Sequence, residues 1–98
     1  MRDKVLNFIN DFTKGNRIII DTFLNGYCYY FSVILLERFG GELYYLPIDN
    51  HFIVRIDKVF YDVTGIFDVG GKISYRWCDF VQEEPLEAAR IIKDCIYI

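Results

Sequence analysis

The sequence predicts an α+β domain, and three observations carry that reading. Residues 3 to 14 place Val5, Leu6, Ile9 and Phe12 at the spacing of one helix face. A second run, from Cys28 to Phe39, is apolar almost all round and stops at Gly40-Gly41, as a central helix with a glycine cap would. Between His51 and Val63, two stretches alternate with a period of two residues on either side of Asp57-Lys58, the pattern of an antiparallel hairpin. The coarse order is helix, central helix, about three strands, helix. A single domain over residues 1–98 follows, with the helix carrying Cys28 packed on a small antiparallel sheet and helices at both ends of the chain.

Taken in order, the first helix is stopped by Gly15-Asn16. Ile18 to Ile20 then reads as a short strand or an extended packing segment leading to the Asn25-Gly26 turn. In the central helix the stripe is Cys28, Phe31, Leu35 and Phe39, flanked by Ile34 and Leu36. Leu43 to Leu46 reads as a strand closed by Pro47. His51 to Ile56 sends Phe52, Val54 and Ile56 to one face and His51, Ile53 and Arg55 to the other. Val59 to Val63 is its partner strand. Gly65 to Lys72 is a loop, and Ile73 to Trp77 is either a further short strand or the lead-in to a helix. Pro85 suits the first turn of a last helix, with Glu83 and Glu84 at its positive end and Leu86, Ala89, Ile92 and Lys93 continuing it. Cys95 to Ile98 is placed to close against the core.

Composition narrows the function classes. The 98 residues suffice for one core, and the 53% apolar fraction argues against disorder. Eight Tyr, nine Phe and one Trp supply the large side chains that a small core needs. The net charge of −3 comes from acids and bases mixed along the chain, so nucleic-acid binding is not expected, nor is mimicry of DNA. Apolar runs such as Val33 to Leu36 are far too short to cross a membrane. The start of the chain carries no signal-peptide core, so a cytoplasmic protein is expected. The three cysteines, Cys28, Cys78 and Cys95, cannot all pair, which argues for free thiols. With one histidine and no Cys-x-x-Cys spacing, neither a metal site nor a cofactor is expected.

Asn25-Gly26-Tyr27-Cys28 is the stretch around which chemistry can be organised. A turn runs into a cysteine at a helix start, where unpaired N–H groups and the helix dipole favour a thiolate. His51, the sole histidine, follows 23 residues on, and Asp62 follows 11 after that. With Asp57-Lys58 as a two-residue turn, Ile56 faces Val59, Ile53 faces Asp62 and His51 faces Thr64. His51 and Asp62 are then diagonal neighbours on one face, within side-chain reach. Cysteine, histidine and aspartate in that order are the parts of a thiol acyl-transfer site. Asn25 and the Cys28 backbone N–H are candidate oxyanion donors, and Asp49 competes with Asp62 for the orienting role. Each residue also has a plainer reading. Cys28 serves equally as a small buried hydrophobe, His51 as a structural histidine, Asp62 as a cap on the Thr64-Gly65 turn, and Cys78 and Cys95 as packing residues.

Gly26-x-Cys28-x-x-Phe31 opening a helix that ends at Phe39-Gly40-Gly41, then His51 opening a strand and Tyr61-Asp62-Val63-Thr64 in the next, resembles the transglutaminase-like branch of the papain-like superfamily. The resemblance covers residues 26 to 65. It implies a papain-like core in which Cys28 matches the nucleophile, His51 the general base and Asp62 the orienting acid. It further implies a hydrolase or acyltransferase acting on a protein or peptide, with an amide, isopeptide, glutamine side chain or thioester as acyl donor. The chain, including Trp77, Pro85 and Lys93-Asp94-Cys95-Ile96, is also similar to short bacteriophage proteins, which would place it in the cytoplasm of a bacterial host. The insertions that build a substrate groove in the superfamily have no counterpart. That absence, with the small size and the many tyrosines, supports a rival from another class. The rival is a non-catalytic, anti-CRISPR-like interaction protein that binds and inhibits a host or anti-phage defence protein on an inherited papain-like scaffold. Tyr27, Tyr29, Tyr30, Tyr44 and Tyr45 are its candidate contacts.

Overall fold

In the computed structural model, which describes residues 1–24 and 27–96 with side chains through Asp94, Asp57 and Lys58 both take positive φ, 50° and 68°. That is the backbone a two-residue type I′ turn needs, and its twist matches that of the strands it joins. It connects β2 (His51–Ile56) to β3 (Val59–Asp62), with Ile56 opposite Val59 and Val54 opposite Tyr61. β1 (Glu42–Leu46) pairs with the other edge of β2, Leu46 opposite His51. Two strands of two residues each complete an antiparallel sheet in the order β4-β3-β2-β1-β5: β4 (Gly65–Ile66) beside β3 and β5 (Tyr75–Arg76) beside β1. The segment from Ile73 to Trp77 thus serves both of its expected roles, a strand followed directly by a helix.

Helices gather on one face of this sheet. α1 (Arg2–Thr13) buries Val5 and Ile9, and α3 (Cys28–Phe39) buries Cys28, Phe31, Ser32 and Leu35. Val5, Ile9, Phe31 and Leu35 meet Val54, Ile56, Tyr61 and Val63 in one continuous core cluster. Ser32 can be buried because its hydroxyl donates to the Cys28 carbonyl at 2.8 Å. A second cluster joins Cys28, Tyr45 and Phe52 to Trp77 of α4 (Trp77–Glu83) and to Ala88 and Ile91 of α5 (Pro85–Ile96). Among the described side chains of α5 the buried ones are Ala88 and Ile91, while Leu86 faces solvent. β2 is buried on both faces, because Ile53 on the side away from the helices is also fully covered. The side chains expected of Cys95 and the closing of the last residues against the core lie outside what is described.

Two expected segments have a different form. Gly65 and Ile66, read as the start of a loop, pair with β3 as β4 because the chain turns straight back after Asp62. The Ile18 segment is the other. Ile18 to Ile20 is neither strand nor extended segment but part of α2 (Arg17–Leu24). The β-branched run suggests a strand, yet the Asn16 side chain accepts the backbone N–H groups of Ile18 at 2.9 Å and Ile19 at 3.4 Å. That cap satisfies donors a helix start otherwise leaves open. Ile20, Phe23 and Leu24 then pack on the core while Ile18 stays exposed.

Gly40 and Gly41 turn the chain from α3 into β1 with φ of 75° and 103°. A Cβ added at Gly41 would lie 2.3 Å from the Arg55 carbonyl oxygen, whereas one added at Gly40 meets nothing within 4 Å. Gly41→Ala should therefore lower stability to urea by about 1–3 kcal/mol or more, through strain and backbone collision together. Gly40→Ala, which strains the backbone at φ 75° and ψ −155° without a collision, should cost about 1–3 kcal/mol and less than Gly41→Ala.

Candidate functional site

The tip of α3 and the end of the β2–β3 hairpin converge on one point. Cys28 is the first residue of α3, His51 the first of β2 and Asp62 the last of β3. The hairpin register carries the pairing onward from Val54 and Tyr61 and leaves His51 and Asp62 on the same face. There the imidazole Nε2 lies 3.0 Å from Asp62 Oδ2. With that nitrogen engaged, Nδ1 is the one left toward Cys28, which lies near enough for the thiol and the ring to shift each other's proton affinity. Relative exposures of 4% for Cys28, 5% for Asp62 and 9% for His51 show that the group is almost sealed.

Electrostatics in this sealed site favour charge separation. Burial by itself pushes the Cys28 thiol up. The hydrogen bond with His51, the backbone N–H of Phe52, the imidazole charge and the backbone N–H of Tyr29 together outweigh it and hold the thiol below its ordinary value. Burial likewise disfavours imidazolium, but the bonds to Asp62 and Cys28, and the charges of both, push His51 up to about 9. Asp62 is raised by burial and lowered by more through His51 and Thr64, so it stays ionised. The arrangement suits a thiolate–imidazolium pair backed by a carboxylate.

Asp62 does both things that the sequence offers as alternatives. Its Oδ2 accepts from His51, and its Oδ1 accepts the Thr64 backbone N–H at 2.8 Å and the Thr64 hydroxyl. It orients the imidazole and caps the turn with different oxygens. Asp49, the competitor, pairs instead with Lys72 at 2.7 Å. Above the imidazole sits Phe67, its ring centre 5.7 Å away, on the loop that Lys72 ties to Asp49.

The remaining candidates fall differently. Asn25 lies outside the described residues. Tyr45 is corrected from surface contact to core residue, packed between Phe52, Trp77 and Phe80 with its hydroxyl donating to Asn50 Oδ1 at 2.7 Å. A strand residue paired with Phe52 points where Phe52 points, toward the helices. Tyr44 is half-buried against Phe60 on the opposite face. Tyr27 and Tyr29 are half-buried, and Tyr30 is exposed and stacked on Tyr27. Cys78, expected to pack, is exposed on α4.

Sequence reasoning reached Thr64 only as part of the turn that Asp62 caps, and missed two further contributors. Thr64 was legible, since Asp-x-Thr is a pattern in which a carboxylate bonds the backbone two residues on. The Phe52 N–H and the Phe67 ring had no local signal, because the return of the chain in space places them. Clefts of about 490 Å³, between α3 and Arg76-Trp77-Cys78, and about 450 Å³, beside α1, α2 and Val63-Thr64-Gly65, lie away from the thiol. Among the described residues no group of three or more His, Cys, Asp or Glu could hold a metal ion, and no single helix is long and apolar enough to cross a membrane.

Comparison with known families is decided by one match: residues 5–87 fit the family described as Phage YunG-like protein. The chain belongs to that family. It is thus a small bacteriophage protein, and the match runs from within α1 to the first turn of α5 and includes all three site residues. No curated protein and no solved structure matches it.

Because Asp62 is held below its ordinary value, its contribution to stability is present above the unfolded carboxyl's 3.8 and is lost as pH falls through the lowered folded value. Asp62→Asn should cost about 2 kcal/mol at neutral pH. The gap between variant and wild-type melting curves should close as the buffer is taken below pH 4.

Proposed function

We propose that this phage protein is a small cysteine-dependent acyl-transfer enzyme with a papain-like, transglutaminase-like core. The observation that supports it is His51 held by Asp62 through Nε2 at 3.0 Å, with Cys28 near enough for thiol and imidazole to shift each other's proton affinity. In this reading Cys28 is the nucleophile, His51 the general base and acid, and Asp62 the group that holds the ring. His51 takes the thiol proton, and the sulfur attacks an acyl carbon while the carbonyl electrons move onto oxygen. The Cys28 backbone N–H, at the positive end of α3, faces that oxyanion. As the intermediate collapses, the bond to the leaving group breaks, His51 gives its proton to that group, and a thioester remains. Water or an amine, deprotonated by His51, then breaks the thioester and restores the thiol. The acyl donor is an amide, isopeptide or thioester, carried by a protein or peptide in the host cytoplasm.

One observation favours a second reading. At 4% exposure Cys28 is almost closed to substrate, while Tyr30 stands exposed beside it, stacked on Tyr27. A protein that binds and inhibits a host or defence protein on this scaffold would have no need of an open thiol.

Alkylation separates the two. Iodoacetamide should label Cys28, followed by peptide mapping because Cys78 is exposed, well below the pH of about 8.5 at which a free thiol ionises. His51→Ala should move the labelling midpoint into that ordinary range. With an acyl donor in hand, the same variant should lose about 10²–10⁴-fold in turnover. Labelling only above about pH 8, unchanged by His51→Ala, would reject the enzyme and leave the binder.

A further inference from the structure

We propose that Thr64 is a positioning residue for the His51–Asp62 pair: its N–H and hydroxyl both hold Asp62 Oδ1, which leaves Oδ2 as the oxygen presented to His51 Nε2. The consequence drawn at Cys28 rests on the acyl-transfer reading; the consequence at the imidazole does not.

A carboxylate on a short side chain rotates easily about its last bond, since that torsion has broad, roughly two-fold minima. A single bond to His51 would leave the carboxylate free to swing, and the imidazole would follow it. Two donors on the other oxygen remove that freedom. They also complete the bonding of a charged group only 5% exposed, which would otherwise be costly to bury. The backbone allows this because Gly65 follows at φ 113° and turns the chain back into β4, so Thr64 folds over the carboxylate two residues before it. The groups facing the imidazole are then all fixed: Asp62 on one nitrogen, Cys28 beside the other, and Phe67 over the ring. The charged pair Asp49–Lys72 is engaged with itself in the adjoining loops.

Thr64 is itself exposed and lines the cleft of about 450 Å³ beside α1 and α2, so its hydroxyl can be changed without opening the core. Thr64→Val keeps the shape and the backbone N–H and removes one donor. Thr64→Ser restores that donor without the methyl, and Thr64→Ala is a second variant without it. The full-length, ¹⁵N-labelled protein would be read in two ways: exchange of the His51 Nε2 proton with water by NMR, and the alkylation midpoint of Cys28 by peptide mapping.

Loss of one charge-assisted bond should speed Nε2 proton exchange on the order of tenfold in Thr64→Val and Thr64→Ala, with Thr64→Ser close to wild type. The Cys28 midpoint should rise toward that of an ordinary thiol in the same two variants. In an Asp62→Asn background, Thr64→Val should change nothing further, because the route through the carboxylate is already cut. Unchanged exchange in Thr64→Val, or equal disturbance by Thr64→Ser, overturns the inference. Ordinary labelling of Cys28 in the wild type, with the exchange effect intact, would remove the acyl-transfer reading and leave Thr64 in its role.

Discussion

The two-residue turn at Asp57-Lys58 is the constraint on which the candidate site depends, because side chains on a strand alternate faces with every residue. With Ile56 opposite Val59, His51 and Asp62 share a face; a slip of one residue would put the carboxylate across the sheet from the imidazole. The hydrophobic pattern enforces the same register. Phe52, Val54 and Ile56 must meet the helices, so the opposite set, His51, Ile53 and Arg55, is committed to the other face. Core packing and site geometry are two results of one pairing.

At the site itself, burial and partnership pull in opposite directions, and partnership wins at all three groups. Each of Cys28, His51 and Asp62 is disfavoured as an ion by its surroundings, and each is brought back by bonds to the next. The bonds run from the imidazole through the carboxylate to Thr64, and the N–H groups of Phe52 and Tyr29 and the imidazole act on the thiol at the other end. Low local dielectric strengthens every link and raises the cost of breaking any one. Such a group is coupled, and its protons belong to the set more than to single residues.

The helix tip enters this group from the other layer. α3 is central because it is apolar nearly all round, and packing it across β2 puts its first residue at the start of that strand, beside His51. The thiol therefore sits where the helix dipole, a strand N–H and an imidazole coincide. The same packing explains why the site is closed. Tyr29, Phe52 and Tyr45 fill the space around the helix start, and Phe67 covers the ring.

Much of this was legible in residue order. The α1 and α3 stripes, the glycine cap at Gly40, the Asp57-Lys58 turn and the diagonal of His51 and Asp62 all follow from local periodicity and turn chemistry. Where local signals conflicted, the sequence misled. Three isoleucines suggested a strand, but the Asn16 cap and an apolar face for the core made Ile18 to Ile20 helical. Tyr45 looked like surface by residue type, but its pairing with Phe52 turned it inward. What the sequence alone determined was the hairpin, the central helix and the identity of three candidate site residues, because these rest on neighbours along the chain. Only the tertiary structure decided that the thiol meets the imidazole, that Asp49 goes to Lys72, and that Phe67 closes the site. Those contacts join segments far apart in sequence, where packing alone sets the distance.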